Sequence, residues 1–381
     1  MSVQGLSDEQ RAFVEAIRDF ARRELGTREQ RDALTDHGRE PHNQDVYERV
    51  AQLGWLGVTI PEEYGGSGGG ATDLCLMLEE VTRGMIPIGF VGVSMITAGA
   101  VRRFGSEELK RELLGGIAGG RPEAIAMSEP EAGSDVGNLS CRAQRADGHY
   151  VINGQKTWIT GAHASDHVLL VCRTTRSEDK HHGMSMISVP RDTPGMEVRP
   201  IETMGGREVN DIFFTDCQVP AERLVGEQDN GWRQLMAGLN HERLIIAAQA
   251  LGMAQRAFED TLAYVKQRRQ FGRPIGSFQS LGHRLADLAT EIEATRLLVY
   301  DTAARSDANP EVTLPREASM AKLKASELAK RVTLEGMQMM GGYGYAVEYD
   351  MERQVRTALV TSIYGGTSEI QREIIARTLG L

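Results

Sequence analysis

One acidic side chain stands among apolar neighbours in a stretch with helical spacing. The residues three and four positions from Glu242 are Gly238, Leu239, Ile245 and Ile246. Because positions at these spacings share one helix face, the carboxylate is predicted to lie on an apolar face. Burial raises the pKa of a carboxyl group toward neutrality, which is what a general base requires. The pattern alone leaves a structural ion pair or a solvent-facing charge equally open.

Two segments in the middle of the chain have the composition of a ligand-binding turn and a strand. Residues 126–135, AMSEPEAGSD, combine small residues, hydroxyls and a proline, which suits a turn whose backbone N–H groups approach a ligand. Residues 152–161, INGQKTWITG, open with Asn153-Gly154 between β-prone residues, which predicts a hairpin. Period-two alternation then places Trp158 and Thr160 on one face of a strand.

Two C-terminal segments complete a set of four motifs. They are residues 268–272, RRQFG, and residues 363–370, IYGGTSEI. In this order the four motifs resemble those of the acyl-CoA dehydrogenase family, flavoenzymes that desaturate acyl-CoA thioesters. The resemblance extends over nearly the whole chain. It implies an enzyme of lipid metabolism, in the setting of fatty acid β-oxidation.

The position of the catalytic base departs from the family's commonest pattern. Most members use the Glu of a Tyr-Glu-Gly-Thr segment, where this chain has Gly365. The isovaleryl-CoA and long-chain branches carry the base at the position matched by Glu242. The resemblance therefore implies that Glu242 removes the α-proton while the β-hydride passes to flavin N5, giving a trans-2-enoyl-CoA. Glu369 is the rival carboxylate, although its place in a first helical turn favours a capping role.

The resemblance also implies FAD, since no side chain accepts a hydride. The sequence has no GxGxxG motif between a strand and a helix, so a Rossmann-type site is not expected. Thr160 is expected to donate to the flavin near N5, and the Arg268 guanidinium suits phosphate oxygens. The expected FAD contacts are Met127, Ser128, Gly133, Ser134, Trp158, Thr160, Thr367 and Glu369. A neighbouring subunit is expected to add Arg268, Gln270, Phe271, Gln279, Gln338 and Gly342.

Substrate contacts and partners follow from the same resemblance. The expected acyl-CoA contacts are Ser134, Asn240, Arg243, Tyr364 and Gly365. The N–H of Gly365 is expected to polarise the thioester carbonyl together with the flavin ribityl hydroxyl, because a backbone donor survives loss of a side chain. Pro87 aligns with an Arg of the glutaryl-specific branch, so a short dicarboxylate is disfavoured. A homotetramer that passes electrons to an electron-transfer flavoprotein is implied.

Composition limits the remaining possibilities. The 381 residues are 41% hydrophobic and 25% charged, as in globular proteins with two or three modules. A net charge of −10 argues against general nucleic-acid binding. Four scattered cysteines without a CxxC pair predict buried thiols rather than a disulfide framework or a metal site. The absence of a signal-like start and of a long apolar run predicts a cytoplasmic protein.

Periodicity along the chain predicts an α+β, mainly α, protein. Helices are expected in an N-terminal domain over residues 1–122, which opens with a capping box from Ser7 to Gln10. Short apolar runs predict a β-barrel or sandwich over residues 123–229, and long stripes predict a four-helix bundle over residues 230–381. The helix ending at Met340 is expected to start at Pro315.

Two further local patterns predict a connector at residues 61–70 and a helix cap at Ser368. The glycine-rich residues 61–70 are more typical of a flexible connector than of a phosphate loop, because no Lys-Ser or Lys-Thr follows. Ser368 with Gln371 three positions later predicts a capping box.

Two functional alternatives stay open. One is a non-catalytic structural subunit of a hetero-oligomer, which Gly365 would suit. The other is an oxidase on the same fold, although such enzymes usually keep an acid at the position of Gly365.

Overall fold

The computed structural model describes residues 5–381, which form two compact units. The first unit contains residues 5–38, 70–86 and 242–381, and the second contains residues 39–69 and 87–241. The helices in chain order are α1 (Asp8–Leu25), α2 (Arg28–Thr35), α3 (Gln44–Gln52), α4 (Ala71–Arg83), α5 (Val91–Phe104), α6 (Glu107–Leu109), α7 (Gly115–Ala118), α8 (Gly231–Gln267), α9 (Gln279–Ala308), α10 (Pro315–Met340), α11 (Gly342–Tyr345), α12 (Met351–Val360) and α13 (Ser368–Thr378).

The first unit is helical, and α10 lies at its centre. The helices α9, α12 and α13 all pack against α10, while α1 and α9 pack against α4. The bounds of α10 confirm the predicted helix from Pro315 to Met340. The predicted capping box of α1 is also present, since Ser7 and Gln10 each accept the other's backbone N–H.

The second unit is built around one mixed sheet. Its strands are β1 (Glu123–Ala126), β2 (Arg142–Ala146), β3 (His149–Thr160), β4 (His167–Arg173), β5 (Met184–Pro190), β6 (Met196–Thr203), β7 (Gly206–Pro220) and β8 (Leu224–Val225). They pair in the order β6-β7-β3-β2-β4-β5-β8, and β1 runs parallel to β4. Inward-facing side chains, among them Ile152, Leu170 and Phe214, form the hydrophobic core of this sheet. Leu170 and Phe214 belong to the short apolar runs from which the strands were predicted.

The predicted hairpin at Asn153-Gly154 is wrong. Strand β3 continues through both residues, and its pairing with β7 shifts register there, as at a β-bulge. The hairpin lies at Asp147-Gly148, where both residues have positive φ, as a two-residue type I′ turn requires. Gly154 is needed for another reason, because a Cβ there would lie 2.7 Å from the Cys141 Cα.

Two further expectations are corrected by hydrogen bonds. The glycine-rich residues 61–70 are not a loose connector, since the N–H groups of Gly66, Ser67, Gly68 and Gly69 all donate to backbone carbonyls. The cap of α13 is Thr367 rather than Ser368, because the Thr367 Oγ1 accepts the Ile370 N–H at 3.3 Å.

The remaining predictions concern membrane, metal and thiol chemistry. No helix in the described part of the chain has the length and apolarity needed to cross a bilayer. Among residues 5–381, no group of three or more His, Cys, Asp or Glu side chains is arranged to hold a metal ion. All four cysteines are buried thiols, as predicted.

Candidate active site

Glu242 lies on α8 and carries a carboxylate without a partner. The side chain is partly buried, and within residues 5–381 it makes no hydrogen bond or ion pair. Burial raises its pKa above the usual glutamate value, while the nearby charges of Arg243 and Lys322 pull it down. A structural ion pair, which the sequence pattern left open, is therefore not what holds this carboxylate.

Gly365 lies next to that carboxylate in the turn between α12 and α13. A Cβ built on Gly365 would be 3.5 Å from Glu242 Oε1 and 2.0 Å from Ile246 Cδ1. The backbone has φ +61°, a conformation that glycine adopts without strain. The α8 side chains thus fill the space that a side chain at position 365 would need.

The carbonyl groups of this turn point at buried polar side chains. Gln371 Nε2 donates to the carbonyls of Gly365 and Gly366, at 3.0 and 2.9 Å. Lys322 Nζ also donates to the Gly366 carbonyl, at 2.9 Å. In contrast, the Gly365 N–H has no acceptor anywhere in the described chain. The residue beside the Glu242 carboxylate therefore carries a backbone N–H without an acceptor among residues 5–381.

A buried ion pair anchors the turn of residues 126–135 in the second unit. Lys156 Nζ donates to Glu129 Oε1 and to the Met127 carbonyl, both at 2.8 Å. Glu129 also accepts the N–H groups of Ser140 and Cys141, so its lone pairs are well satisfied. The Thr157 N–H donates to the Ser128 carbonyl at 3.0 Å. These contacts tie Met127 and Ser128 to strand β3.

The far side of this turn presents unused backbone donors. Gly133, Ser134 and Asp135 are exposed, and their N–H groups meet no acceptor among residues 5–381. No atom lies within 4 Å of the place where a Cβ of Gly133 would be. Successive free N–H groups at an open glycine are a donor set that suits phosphate oxygens, and so they fit the pyrophosphate of FAD.

Trp158 and Thr160 follow a bulge in β3. The pairing register of β3 with β7 shifts between Lys156 and Ile159, and Trp158 has φ +61°, which is unusual for a bulky residue. The Trp158 side chain is 61% exposed, while Ile159 is buried. Trp158 therefore lies on the open side of the strand, while Thr160, two residues further on, is partly buried. A large exposed aromatic ring held in a strained backbone fits a planar ligand such as a flavin ring.

A second group of predicted contacts lines one hollow in the first unit. Arg268, Gln270 and Gly342 border a cavity of about 510 Å³. The Arg268 guanidinium carbon lies 5.2 Å from the centre of the Tyr343 ring. Gln279 and Gln338 are exposed on other helical positions outside this lining. Phe271 is 92% exposed with φ +51°. The structure thus brings three of these six residues together.

The other predicted contacts have mixed surroundings. Thr367 caps α13, and Glu369 is an exposed residue of its first turn, 3.5 Å from Arg372. Arg243 is buried, Asn240 is partly buried, and Tyr364 is 37% exposed. Pro87, in the position of the missing arginine, is buried and accepts the Asn43 N–H.

Sequence reasoning missed the residues that hold these segments. Lys156, Ile246, Lys322 and Gln371 were not predicted as parts of a site. Lys322 carried the same signal as Glu242, since it lies on a face of α10 with buried Ala318, Ser319 and Ala325. A charge within an apolar helical stripe is the pattern that could have identified it.

Three family models match the chain in succession. The acyl-CoA dehydrogenase N-terminal domain matches residues 7–121, the middle domain residues 124–217, and the C-terminal domain residues 229–380. Helical outer domains and a middle β-domain agree with the predicted fold class.

Relatives match over almost their full length. A probable acyl-CoA dehydrogenase of Bacillus subtilis is 39% identical over 380 residues, covering 98% of both chains. A subunit of the caffeyl-CoA reductase–Etf complex of Acetobacterium woodii is 35% identical, again over 98% of both chains. The structure of an FAD complex of PigA superposes with a TM-score of 0.92 at 29% identity, covering both chains completely.

Proposed function

The chain belongs to the acyl-CoA dehydrogenase family, and from that membership we propose that Glu242 is the base that desaturates a saturated acyl-CoA. The enzyme is an FAD-dependent oxidoreductase, and FAD supplies the hydride acceptor when bound. The product is the trans-2-enoyl-CoA. The proposed branch is that of the isovaleryl-CoA and long-chain enzymes, and the proposed setting is fatty acid β-oxidation.

One observation carries the assignment of the base. The Cβ position of Gly365 lies 3.5 Å from Glu242 Oε1, so the α8 carboxylate reaches the place from which most of the family extends its glutamate. Its pKa is raised by burial, and it has no partner in the described chain. A half-buried, unpaired carboxylate is suited to accept a carbon-bound proton near neutral pH. Glu369 is exposed with its pKa lowered, which suits capping better than proton transfer.

The proposed role of Gly365 is to donate its N–H to the thioester carbonyl. Removing a proton from the α-carbon builds negative charge on that oxygen, and a fixed donor stabilises the charge as it develops. The Gly365 N–H has no acceptor within residues 5–381. The Gly365 carbonyl accepts from Gln371, and the Gly366 carbonyl accepts from Lys322. Ser134, Asn240, Arg243 and Tyr364 are the other proposed substrate contacts.

The proposed cofactor contacts form two groups, one from the same chain and one from a neighbouring subunit. Met127, Ser128, Gly133, Ser134, Trp158 and Thr160 bind the flavin and the pyrophosphate, with Thr367 and Glu369 as further contacts. Arg268, Gln270, Phe271, Gln279, Gln338 and Gly342 reach FAD from a neighbouring subunit of a homotetramer. The proposed domain bounds are residues 1–122, 123–229 and 230–381, in a cytoplasmic enzyme.

The electron partner sets the direction of the reaction. We propose an electron-transfer flavoprotein, which agrees with the relative named as part of a reductase–Etf complex. Reduction of an enoyl-CoA in the cell is the second candidate function, because a relative from Anaerotignum propionicum is named acryloyl-CoA reductase. The same residues serve both directions, with Glu242 returning a proton to the α-carbon in the second.

An anaerobic titration tests this function. The purified holoprotein is mixed with butyryl-, isovaleryl-, octanoyl-, palmitoyl- and glutaryl-CoA, and bleaching of the oxidised flavin is followed. We expect one monocarboxylic acyl class to bleach the flavin, glutaryl-CoA to fail, and Glu242→Gln to bind the same acyl-CoA without bleaching. The rate should fall by at least about 1,000-fold, since the general base is removed.

Glu373→Gln is the matched control, since it neutralises an exposed carboxylate of α13, 2.8 Å from Arg377, that is not among the proposed cofactor or substrate contacts. It should bleach at the parent rate. Normal bleaching by Glu242→Gln would overturn the base assignment. A parent that binds FAD but is bleached by no acyl-CoA would overturn the desaturation itself, and a parent without FAD would favour a structural subunit.

A further inference from the structure

We propose that Lys322 is a positioning residue for the reaction, acting together with Gln371 to hold the Gly365–Gly366 turn in one geometry beside the Glu242 carboxylate. This inference rests on the proposed function, because it assigns roles to the base and to the Gly365 N–H. Neither Lys322 nor Gln371 is proposed to touch substrate.

Three hydrogen bonds fix the carbonyl side of the turn. Gln371 Nε2 bridges the Gly365 and Gly366 carbonyls, and Lys322 Nζ donates to the Gly366 carbonyl at 2.9 Å. Both side chains have zero solvent exposure. Two successive glycines with φ of +61° and +80° have wide conformational freedom, so the turn needs such contacts to keep one geometry. Holding the two carbonyls fixes the peptide planes on the C-terminal side of Gly365. The Gly365 N–H lies in the preceding plane, which joins Tyr364 to Gly365, so these bonds place the Gly365 Cα from which that N–H extends.

The second contribution is charge. Burial raises the pKa of Glu242, and the charges of Arg243 and, next in size, of the buried Lys322 lower it. Burial in turn lowers the pKa of Lys322 to about 8, so the side chain is protonated at neutral pH. The charged groups that act on Lys322 are Glu242 and Arg243 on α8, Glu327 on α10 and Glu369 on α13. Glu242 is the largest of these influences.

A purely structural role explains the site poorly. Burying an ammonium group costs free energy, and a methionine would fill the same space without that cost. The other lysines of this helix stretch, Lys324 and Lys330, keep 45% and 27% of their side chains exposed. Of these three lysines, Lys322 is the one that is fully buried and donates to the Gly366 carbonyl.

The test is a pH profile of flavin bleaching in holoproteins, using whichever of butyryl-, isovaleryl-, octanoyl- or palmitoyl-CoA reduces the parent fastest. The rate rises with pH as Glu242 loses its proton. Lys322→Met removes the attraction that favours the ionised carboxylate, so the rising limb should move to higher pH by about one unit. The plateau rate should also fall by about 100-fold, since the donor is misplaced.

Three further variants separate charge from hydrogen bonding. Lys322→Arg should leave the rising limb within a few tenths of a unit of the parent position. Gln371→Leu should lower the plateau without moving the limb, because it removes two hydrogen bonds and no charge. Lys324→Met, two residues along the same helix, should match the parent in both respects.

The outcomes distinguish failure of the positioning role from failure of the proposed function. If Glu242→Gln abolishes bleaching while Lys322→Met and Gln371→Leu keep the parent rate and limb, the positioning role is wrong and the function stands. If Lys322→Met does not fold, an unchanged plateau in Gln371→Leu or a displaced limb in Lys322→Arg overturns the proposal. If no acyl-CoA bleaches the parent, both fall together.

Discussion

At the scale of single residues, the proposed site depends on Gly365, which the resemblance matches to the base of most family members. Gly365 combines a left-handed backbone with a close neighbour, since its missing Cβ would lie 2.0 Å from Ile246 Cδ1. The left-handed backbone favours glycine, and the close contact adds to that preference. The carboxylate of Glu242 and the side chain of Ile246 thus take the space that a longer residue would occupy.

Replacing this glycine by alanine should therefore be costly in two separable ways. We expect Gly365→Ala to lower the free energy of unfolding by the backbone cost, about 1 to 2 kcal/mol, plus a clash with Ile246. Ile246→Val removes Cδ1, so the double variant should recover the clash part but not the backbone part. Denaturant unfolding of the four proteins, with FAD in excess, measures this coupling.

Gly272→Ala is the control for the backbone part. Gly272 has φ +79° and no atom within 4 Å of its Cβ position. It should lose stability by the backbone cost alone. Equal losses in Gly365→Ala and Gly272→Ala, with no coupling to Ile246→Val, would show that the close contact has no energetic weight.

At the scale of elements, the turn of residues 126–135, the proposed flavin-binding turn, is fixed to β3 by a buried ion pair. Lys156 is fully buried, and its ammonium group is shared between Glu129 and the Met127 carbonyl. Burial raises the pKa of Glu129, but Lys156 and the Ser140 and Cys141 N–H groups outweigh it, so the net pKa is lowered. The Glu129 carboxylate thus stays ionised at neutral pH.

Breaking this pair on one side should destabilise the protein and release FAD. We expect Lys156→Met to cost about 3 to 5 kcal/mol, because it leaves the Glu129 carboxylate buried without its cation. Thermal unfolding and retained FAD absorbance measure the effect. Lys180→Met is the matched control, since Lys180 pairs with Asp135 of the same turn at 2.7 Å, with about half of each side chain exposed. It should cost less than about 1 kcal/mol. Equal effects of the two changes would contradict a special role for the buried pair.

Sequence reasoning succeeded where one element's own pattern carries the information. The stripe of α10 gave its bounds, and the apolar neighbours of Glu242 marked an unusual carboxylate. It failed where two readings share one pattern. Asn153-Gly154 has the composition of a hairpin turn but is accommodated as a bulge, and Asp147-Gly148 takes the turn.

Contacts between distant segments were out of reach for the same physical reason. The reach of Lys322 to the Gly366 carbonyl, 44 residues along the chain, depends on the packing of α13 against α10, which no local periodicity specifies. The Thr367 cap differs from the predicted Ser368 by one residue, because side-chain geometry selects which hydroxyl meets the Ile370 N–H.

At the scale of the whole molecule, the proposed homotetramer makes a specific demand on Phe271. Its ring is 92% exposed in the single chain, on a residue with positive φ, and it follows the exposed Arg268 and Gln270. Covering a solvent-exposed aromatic ring with a partner surface is favourable in free energy. In the proposed assembly, that partner is the FAD-binding surface of a neighbouring subunit.

Phe271→Ser should therefore weaken FAD binding and subunit association together. We expect the FAD dissociation constant to rise by about tenfold or more, with smaller species appearing in size-exclusion chromatography coupled to light scattering.

Leu53→Ser is the control, because it removes an apolar side chain that is 54% exposed and far from these motifs in the sequence. It should change neither the FAD dissociation constant nor the mass of the assembly. Because added FAD binds only the assembled form in this scheme, excess FAD should restore the larger species of Phe271→Ser by mass action. A variant that loses FAD affinity but keeps the parent mass at all protein concentrations would place the ring at the cofactor without a role in association, and unchanged FAD affinity would remove Phe271 from the site.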